Sequence, residues 1–389
     1  MDPNQFHVNW HYPTSIRMGI GRITELPEAC QELAIKAPLL VTDPGLSALP
    51  MVQQARDECQ KHGLVCGLFS GIKANPAGGN VSDGISAYQQ GKHDGVIAMG
   101  GGSAIDAAKA IALMVGQTGS IWDYEDVGDN WTRVNTETMA PVIAIPTTSG
   151  TGSEVGRASV ITDEKQQVKR IIFHANMLPK IVILDPQLTL GLPAQLTAAT
   201  GMDALSHALE AYCAPNFHPM AEGIAMEAIR LIKMYLPKAW ADGTDLEARS
   251  QVMAAATMGA TAFQRGLGGM HALAHSLGAV YDAHHGLLNA VLMPYVLKAN
   301  RSAIEGQIER LSRYLELEPA SFDVFLEWVL ELRQRLAIPH TLLAIGIDGA
   351  RVDEIGAMAY RDPSASTNPI AFSPRQYRDI FLAAVQGEL

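Results

Sequence analysis

Asp203 and His207 stand four residues apart in GMDALSHALEAY, and His271 and His275 stand four apart in GGMHALAHSLGAVYDAHHG, with His285 ten residues further on. On an α-helix, residues i and i+4 project from one face a turn apart, so each pair can aim two side chains at one point. A carboxylate and several imidazoles that converge form a donor set of borderline softness, suited to Fe(II) or Zn(II). The plainer alternative is core packing. The same segments carry Leu205, Ala208, Leu209, Leu273, Ala274 and Leu277, and a single histidine among such neighbours is ordinarily a satisfied core residue. Two spaced pairs plus a third histidine-bearing segment favour the metal.

A second group of residues has the chemistry of a phosphate cradle. Gly100, Gly101, Gly102 and Ser103 lie between a strand pattern and a helix pattern, with Asp106 in the first turn of that helix. Glycines let a backbone approach a pyrophosphate closely, and a helix N-terminus offers N–H donors and positive dipole. PTTSGTGS (146–153) sets Thr147, Thr148, Ser149, Thr151 and Ser153 after another strand, at the carboxyl end where open α/β sheets bind ligands. A tight strand-to-helix turn and a solvated polar loop are the alternatives that involve no ligand. Asp43 ends the first strand of the alternating pattern. There it can accept hydrogen bonds from ribose hydroxyls and repel a 2′-phosphate, which favours NAD over NADP; helix capping is the competing role. The glycine turn follows the acid-ended strand, so this is not the common GxGxxG fingerprint.

The elements that must position these residues divide the chain. In the first half, short apolar runs at 37–43, 64–71, 95–100, 141–146 and 180–186 read as strands, with helical spacing at 50–62, 81–90 and 102–116. Residues 159–163 and 169–173 read as a β-hairpin. Strands alternating with helices predict a mostly parallel sheet covered on both faces. After LGLPAQLTAAT (190–200) the patterns are amphipathic and helical, and the helix over 220–236 is expected to stop at Pro237. The expected organisation is an α/β dinucleotide-binding domain over 1–190 and an all-helical metal-binding and substrate domain over 191–389.

Composition narrows the function classes. The chain has 389 residues, 48% of them apolar and 18% charged, a globular balance. Its net charge of −11 gives nucleic acid or anionic lipid no general attraction. No transmembrane span or signal peptide is evident. Cys30, Cys59, Cys66 and Cys213 form no CxxC or framework, which predicts a reducing cytoplasm. A homodimer or larger homo-oligomer is expected.

Taken together, VTD (41–43), NP (75–76), GGGSAIDAAKAIA (100–112), IPTTSGTGSE (145–154), TAATGMDALSHALEAY (197–212), HALAHSLG (271–278), HGLLNAVLMPYV (285–296) and TNP (367–369) resemble the iron-containing (group III) alcohol dehydrogenase family over nearly the whole chain. The resemblance implies the dehydroquinate synthase-like fold of an N-terminal α/β nucleotide-binding domain and an all-α C-terminal domain. It also implies hydride transfer between NAD(H) and a small primary alcohol or its aldehyde. It makes Asp203, His207, His271 and His285 the ligands of Fe(II), with zinc the other candidate. It sets His275 beside the nicotinamide as the proton-handling residue, and Asn75 and Lys169 with the nucleotide. The sequence departs from the family pattern at His284, where proline is usual, at Gly156 and Arg157, at Ser364, where a pocket cysteine is common, and at Ile370. A glycerol dehydrogenase-like polyol oxidoreductase and a catalytically silent nucleotide-binding or filament-forming subunit are the alternative functions.

Overall fold

The structure, a computed structural model, describes residues 14–166 and 168–389. These residues form two compact units, one of residues 14–148 and 152–191 and the other of 149–151 and 192–389.

In the first unit the order is β1 (Ser15–Met18), α1 (Leu26–Glu32), β2 (Pro38–Val41), α2 (Pro44–Ser47), α3 (Pro50–Lys61), β3 (Gly67–Phe69), α4 (Gly78–Gln90), β4 (Gly95–Gly100), α5 (Gly102–Met114), β5 (Val142–Pro146), β6 (Ala158–Asp163), β7 (Val168–Phe173) and β8 (Ile181–Leu184). Six strands make a sheet in the order β1-β8-β5-β4-β2-β3, and every neighbouring pair is parallel. The inner strands β2, β4, β5 and β8 are buried at every residue, which is why they read as continuous apolar runs. The two-residue period of a strand assigns Leu40, Ile97, Met99, Ile143, Ile145, Ile181 and Ile183 to one core, packed with Leu26, Ala29 and Cys30 of α1 and Val52, Ala55 and Cys59 of α3. β6 and β7 pair antiparallel as a separate ribbon, the hairpin expected from the sequence.

The chain runs from β2 outward to β3 and then returns to the other side of β2 as β4. The strand order therefore reverses between β2 and β4, the switch point where such sheets bind ligands beyond the strand carboxyl ends. Val41 pairs with Ala98, and Gly100 pairs with Pro146. This register brings Asp43, the glycine turn and Thr147 to the same end of three adjacent strands. The turn needs its first glycine: Gly100 has φ +149°, and a β-carbon there would lie 2.8 Å from that of Ala104.

The second unit is helical: α6 (Ala194–Cys213), α7 (Pro219–Ala241), α8 (Leu246–Ala262), α9 (Gly269–Tyr281), α10 (His285–Tyr314), α11 (Phe322–Arg335), α12 (Val352–Arg361) and α13 (Pro374–Gln386). Every residue of α6 from Thr197 to Cys213 is buried, so α6 is the central element of this unit. It packs against α7, α8 and α10. α10 comes so close that a β-carbon on Gly286 would lie 2.5 Å from the Ala199 carbonyl oxygen. The helix expected to end at Pro237 continues to Ala241. Proline there removes one intrahelical hydrogen bond and crowds the preceding turn, a cost of about 3 kcal/mol that burial of Leu236, Pro237 and Ala239 offsets. α10 likewise runs unbroken through Pro294. No helix among the described residues is long and apolar enough to cross a membrane.

Gly100→Ala is expected to lower stability by about 1–3 kcal/mol, the range for a non-glycine residue held in a sparsely populated backbone region. A urea midpoint equal to that of the parent protein would contradict this account of the turn.

Candidate metal centre and nucleotide-binding turns

α6 carries Asp203 and His207 a turn apart, α9 carries His271 in its first turn, and α10 begins with His285. The packing of these helices brings one donor atom from each of the four residues within 4.8 Å of the others. The rings of His207 and His271 stack with centroids 4.7 Å apart, and those of His271 and His285 are 5.3 Å apart. Asp203 and His271 are each 1% exposed and His207 is 5% exposed. The Nδ2 group of Asn289, one turn after His285, donates to Asp203 Oδ1 at 2.8 Å. It also lies 3.3 Å from His271 Nε2 and 3.2 Å from His285 Nε2.

The chemistry of this cluster suits a cation. Asp203 is a buried carboxylate whose ion-pair partner among the described residues is His285, with Nε2 3.6 Å from Oδ1. No lysine or arginine among the described residues pairs with it, and a buried carboxylate without a fixed cation is costly. Nδ1 of His207 is buried with no hydrogen-bond partner among the described residues. Burial outweighs the pull of the Asp203 charge and, with His271 as neighbour, pushes the His207 imidazolium down to about 4. Its ring is therefore neutral near pH 7, the form that ligates. Oxygen and imidazole donors that converge at a largely buried point fit a divalent transition metal.

His275 lies a turn beyond His271, its ring stacked on that of His285 at 5.3 Å. Its Nδ1 is 3.0 Å from Asp362 Oδ2. Burial works to raise the Asp362 carboxyl, but the His275 charge and hydrogen bond, with help from Ser364, hold it below the ordinary range. The Ser364 backbone N–H donates to Asp362 Oδ1 at 2.8 Å. Ser364, where the family pattern often has cysteine, thus supports the partner of His275. His284 is the N-cap of α10, its Nδ1 accepting from Leu287 N–H at 3.3 Å. Arg157 lies over the Phe173 ring at 5.7 Å.

The other candidate residues divide into two sets. Gly101 is the N-cap of α5 and Gly102 its first residue. Thr147 N–H donates to the Gly100 carbonyl at 3.0 Å, and a β-carbon on Gly101 would be 3.5 Å from the Thr148 side chain. Lys169 Nζ donates to Asn75 Oδ1 at 2.8 Å, so two residues 94 apart in sequence meet. The remaining side chains have structural bonds. Asp43 caps α2, accepting from Leu46 N–H at 2.8 Å. Ser103 Oγ donates to the Ala74 carbonyl. Asp106 accepts from Ser153 Oγ and, at 2.9 Å, from Val160 N–H. Lys109, which the sequence reading passed over, is 1% exposed. Its Nζ donates to the Ser153 carbonyl at 2.9 Å and lies 3.2 Å from Asp106 Oδ1, so Asp106, Lys109 and Ser153 fasten the loop after β5 to α5. Thr151 belongs to the short segment that groups with the helical unit.

Asp362, Asn289 and Glu210 were missed in the sequence. Glu210 follows Asp203 by seven residues, the same helical stripe as His207, and this spacing could have revealed it. Asn289 follows His285 by four. Asp362 is 87 residues from His275, and no local spacing signals it.

Residues 13–186 match the profile of the iron-containing alcohol dehydrogenases, and residues 197–385 match the C-terminal region of the same family. The chain is 39% identical to a 4-hydroxybutyrate dehydrogenase of Cupriavidus necator, with 95% of this chain and 97% of that protein aligned. It is 33% identical to an NAD-dependent methanol dehydrogenase of Bacillus methanolicus over 93% of this chain and 95% of that one. A crystal structure of a 1,3-propanediol oxidoreductase superposes with a TM-score of 0.92 at 33% identity, covering 97% of this chain and all of that one. The chain belongs to the iron-containing alcohol dehydrogenase family.

Proposed function

We propose that this alcohol dehydrogenase transfers hydride between NAD(H) and a short primary alcohol, or its aldehyde, at a metal held by Asp203, His207, His271 and His285. The observation that carries the reading is the convergence of four ligand atoms within 4.8 Å of one another, three of the four residues buried. Fe(II), or zinc in its place, supplies a Lewis acid for the substrate oxygen when bound, and the nicotinamide supplies the hydride acceptor or donor. The relatives named above act on 4-hydroxybutyrate and methanol, both primary alcohols, and that is the class proposed here.

The chain's own residues do the rest. Asp203 and the imidazoles hold the cation by charge and lone pairs. His275 handles the alcohol proton. With Nδ1 engaged by Asp362, the ring keeps one orientation, and Nε2 is left to accept or return that proton. Asn75, Gly101, Gly102, Ser103, Thr147, Thr148, Thr151 and Lys169 serve the dinucleotide. Gly101 and Gly102 act through backbone N–H groups at the start of α5, while Asp106 and Ser153 act by holding the loop in place. Asp43 faces the ribose with the oxygen not used for capping and disfavours a 2′-phosphate. Functionally, residues 1–190 serve as the dinucleotide-binding domain and 191–389 as the metal and substrate domain. Four free cysteines agree with work in the cytoplasm, where the chain is proposed to act as a homodimer or larger homo-oligomer.

NADH formation from a panel of primary alcohols by anaerobically iron-loaded protein tests the reading; no turnover with any alcohol or aldehyde would overturn it. Metal at 100 times its Kd should stabilise the protein by about 2.7 kcal/mol. In His271→Ala and His285→Ala that gain should vanish while helix content by circular dichroism stays unchanged. Full metal content in either variant would remove that residue from the ligand set. His275→Ala should retain metal and lose about 10²–10⁴-fold in kcat, and Asp362→Asn should lose rate in the same direction. Normal kcat in a metal-replete His275→Ala protein would assign the ring to packing alone.

A further inference from the structure

A second buried carboxylate stands beside the metal cluster without belonging to it. Glu210 is 7% exposed, and its oxygens face the start of α9. Oε1 accepts from Met270 N–H at 2.7 Å, and Oε2 accepts from Gly268 N–H at 2.7 Å. Between them, Gly269 N–H donates to Asn368 Oδ1 at 2.9 Å. The first N–H groups of a helix have no acceptor within it. Here three consecutive ones are met by side chains remote in sequence, two by a carboxylate at the positive end of the α9 dipole.

The same carboxylate reaches His271. Oε2 lies 2.6 Å from His271 Nδ1. Both Glu210 oxygens accept from backbone N–H groups at the positive end of α9, the part played by a carboxylate, which can only accept, so His271 Nδ1 is the donor. The ring then carries its hydrogen on Nδ1 and keeps a bare lone pair on Nε2. Nε2 is the nitrogen that faces Asn289 Nδ2, 3.3 Å away, the group that also touches Asp203 and His285.

Resting on the metal reading above, we infer that Glu210 is the positioning residue of the metal centre: it docks the N-terminus of α9 onto α6 and fixes His271 in the Nδ1–H tautomer, so that Nε2 is presented as a ligand before any metal arrives. One residue thereby joins the helix that bears Asp203 and His207 to the helix that bears His271. Ligating histidines commonly depend on such a partner, and its loss typically weakens metal binding about 10–100-fold.

Glu210→Gln is the discriminating change. It preserves shape but replaces one acceptor with an NH₂ group. An amide N–H facing Nδ1 would reverse the tautomer and place the hydrogen on the ligating nitrogen. Cobalt(II) affinity, measured by titration of full-length metal-free protein against a competing chelator, should fall by about 10–100-fold. A mere helix cap would lower the melting temperature and leave cobalt affinity unchanged, so a loss smaller than about tenfold overturns the inference. A second measurement requires no variant at Glu210. Nitrogen-15 NMR of the metal-free native protein, with the His271 signals identified by their absence from His271→Gln, should show Nδ1 protonated and Nε2 bare. The opposite tautomer overturns the proposal. Native protein that binds no cobalt would instead overturn the metal reading on which it rests.

Discussion

Asp203 sits near the middle of the most buried helix of the second unit, with no lysine or arginine among the described residues to balance it, and the helices around it are arranged to meet that charge. α6 is buried from Thr197 to Cys213, so its polar residues at 203, 207 and 210 must find partners within the protein. They find them in His271 at the start of α9 and in His285 and Asn289 at the start of α10. The absence of a side chain on Gly286, against the Ala199 carbonyl, is what lets α10 come close enough. Hydrophobic packing sets which helices touch, and the carboxylates and imidazoles set which ends of them meet.

The first unit solves a different problem with backbone groups. The sheet order places the carboxyl ends of β2, β4 and β5 side by side. The start of α5 there offers N–H donors at glycines, where no side chain blocks approach. Around that opening, Asp106, Lys109 and Ser153 neutralise and bond one another, holding the loop after β5 in place. Asp106 and Ser153 read as nucleotide-site candidates in the sequence, and the structure shows them bonded to each other and to Lys109.

The sequence was most legible where a periodicity and a chemistry coincide. Two i,i+4 pairs and a third histidine pointed to residues that the fold brings together, Asp203, His207, His271 and His285, and continuous apolar runs marked the inner strands. It was least legible where the partner is remote or the local signal is weak. β1, SIRM, is a half-exposed edge strand with no apolar run to announce it. Pro237 suggested a helix end because a local rule cannot register the burial of the residues around it. Asp43 had two readings in the sequence, ribose acceptor and helix cap, and the structure displays the cap. The contacts of Asp362 with His275 and of Glu210 with the α9 backbone span 87 and about 60 residues, beyond the reach of any spacing rule.

The central claim is that these helix ends meet around one cation. The most direct test is an anomalous difference map from crystals of the full-length protein loaded with zinc as a closed-shell stand-in for iron. The account predicts one peak per chain, within about 2.0–2.2 Å of imidazole nitrogens and a carboxylate oxygen from Asp203, His207, His271 and His285. Zinc bound elsewhere on the chain, with nothing among those four residues, would contradict it.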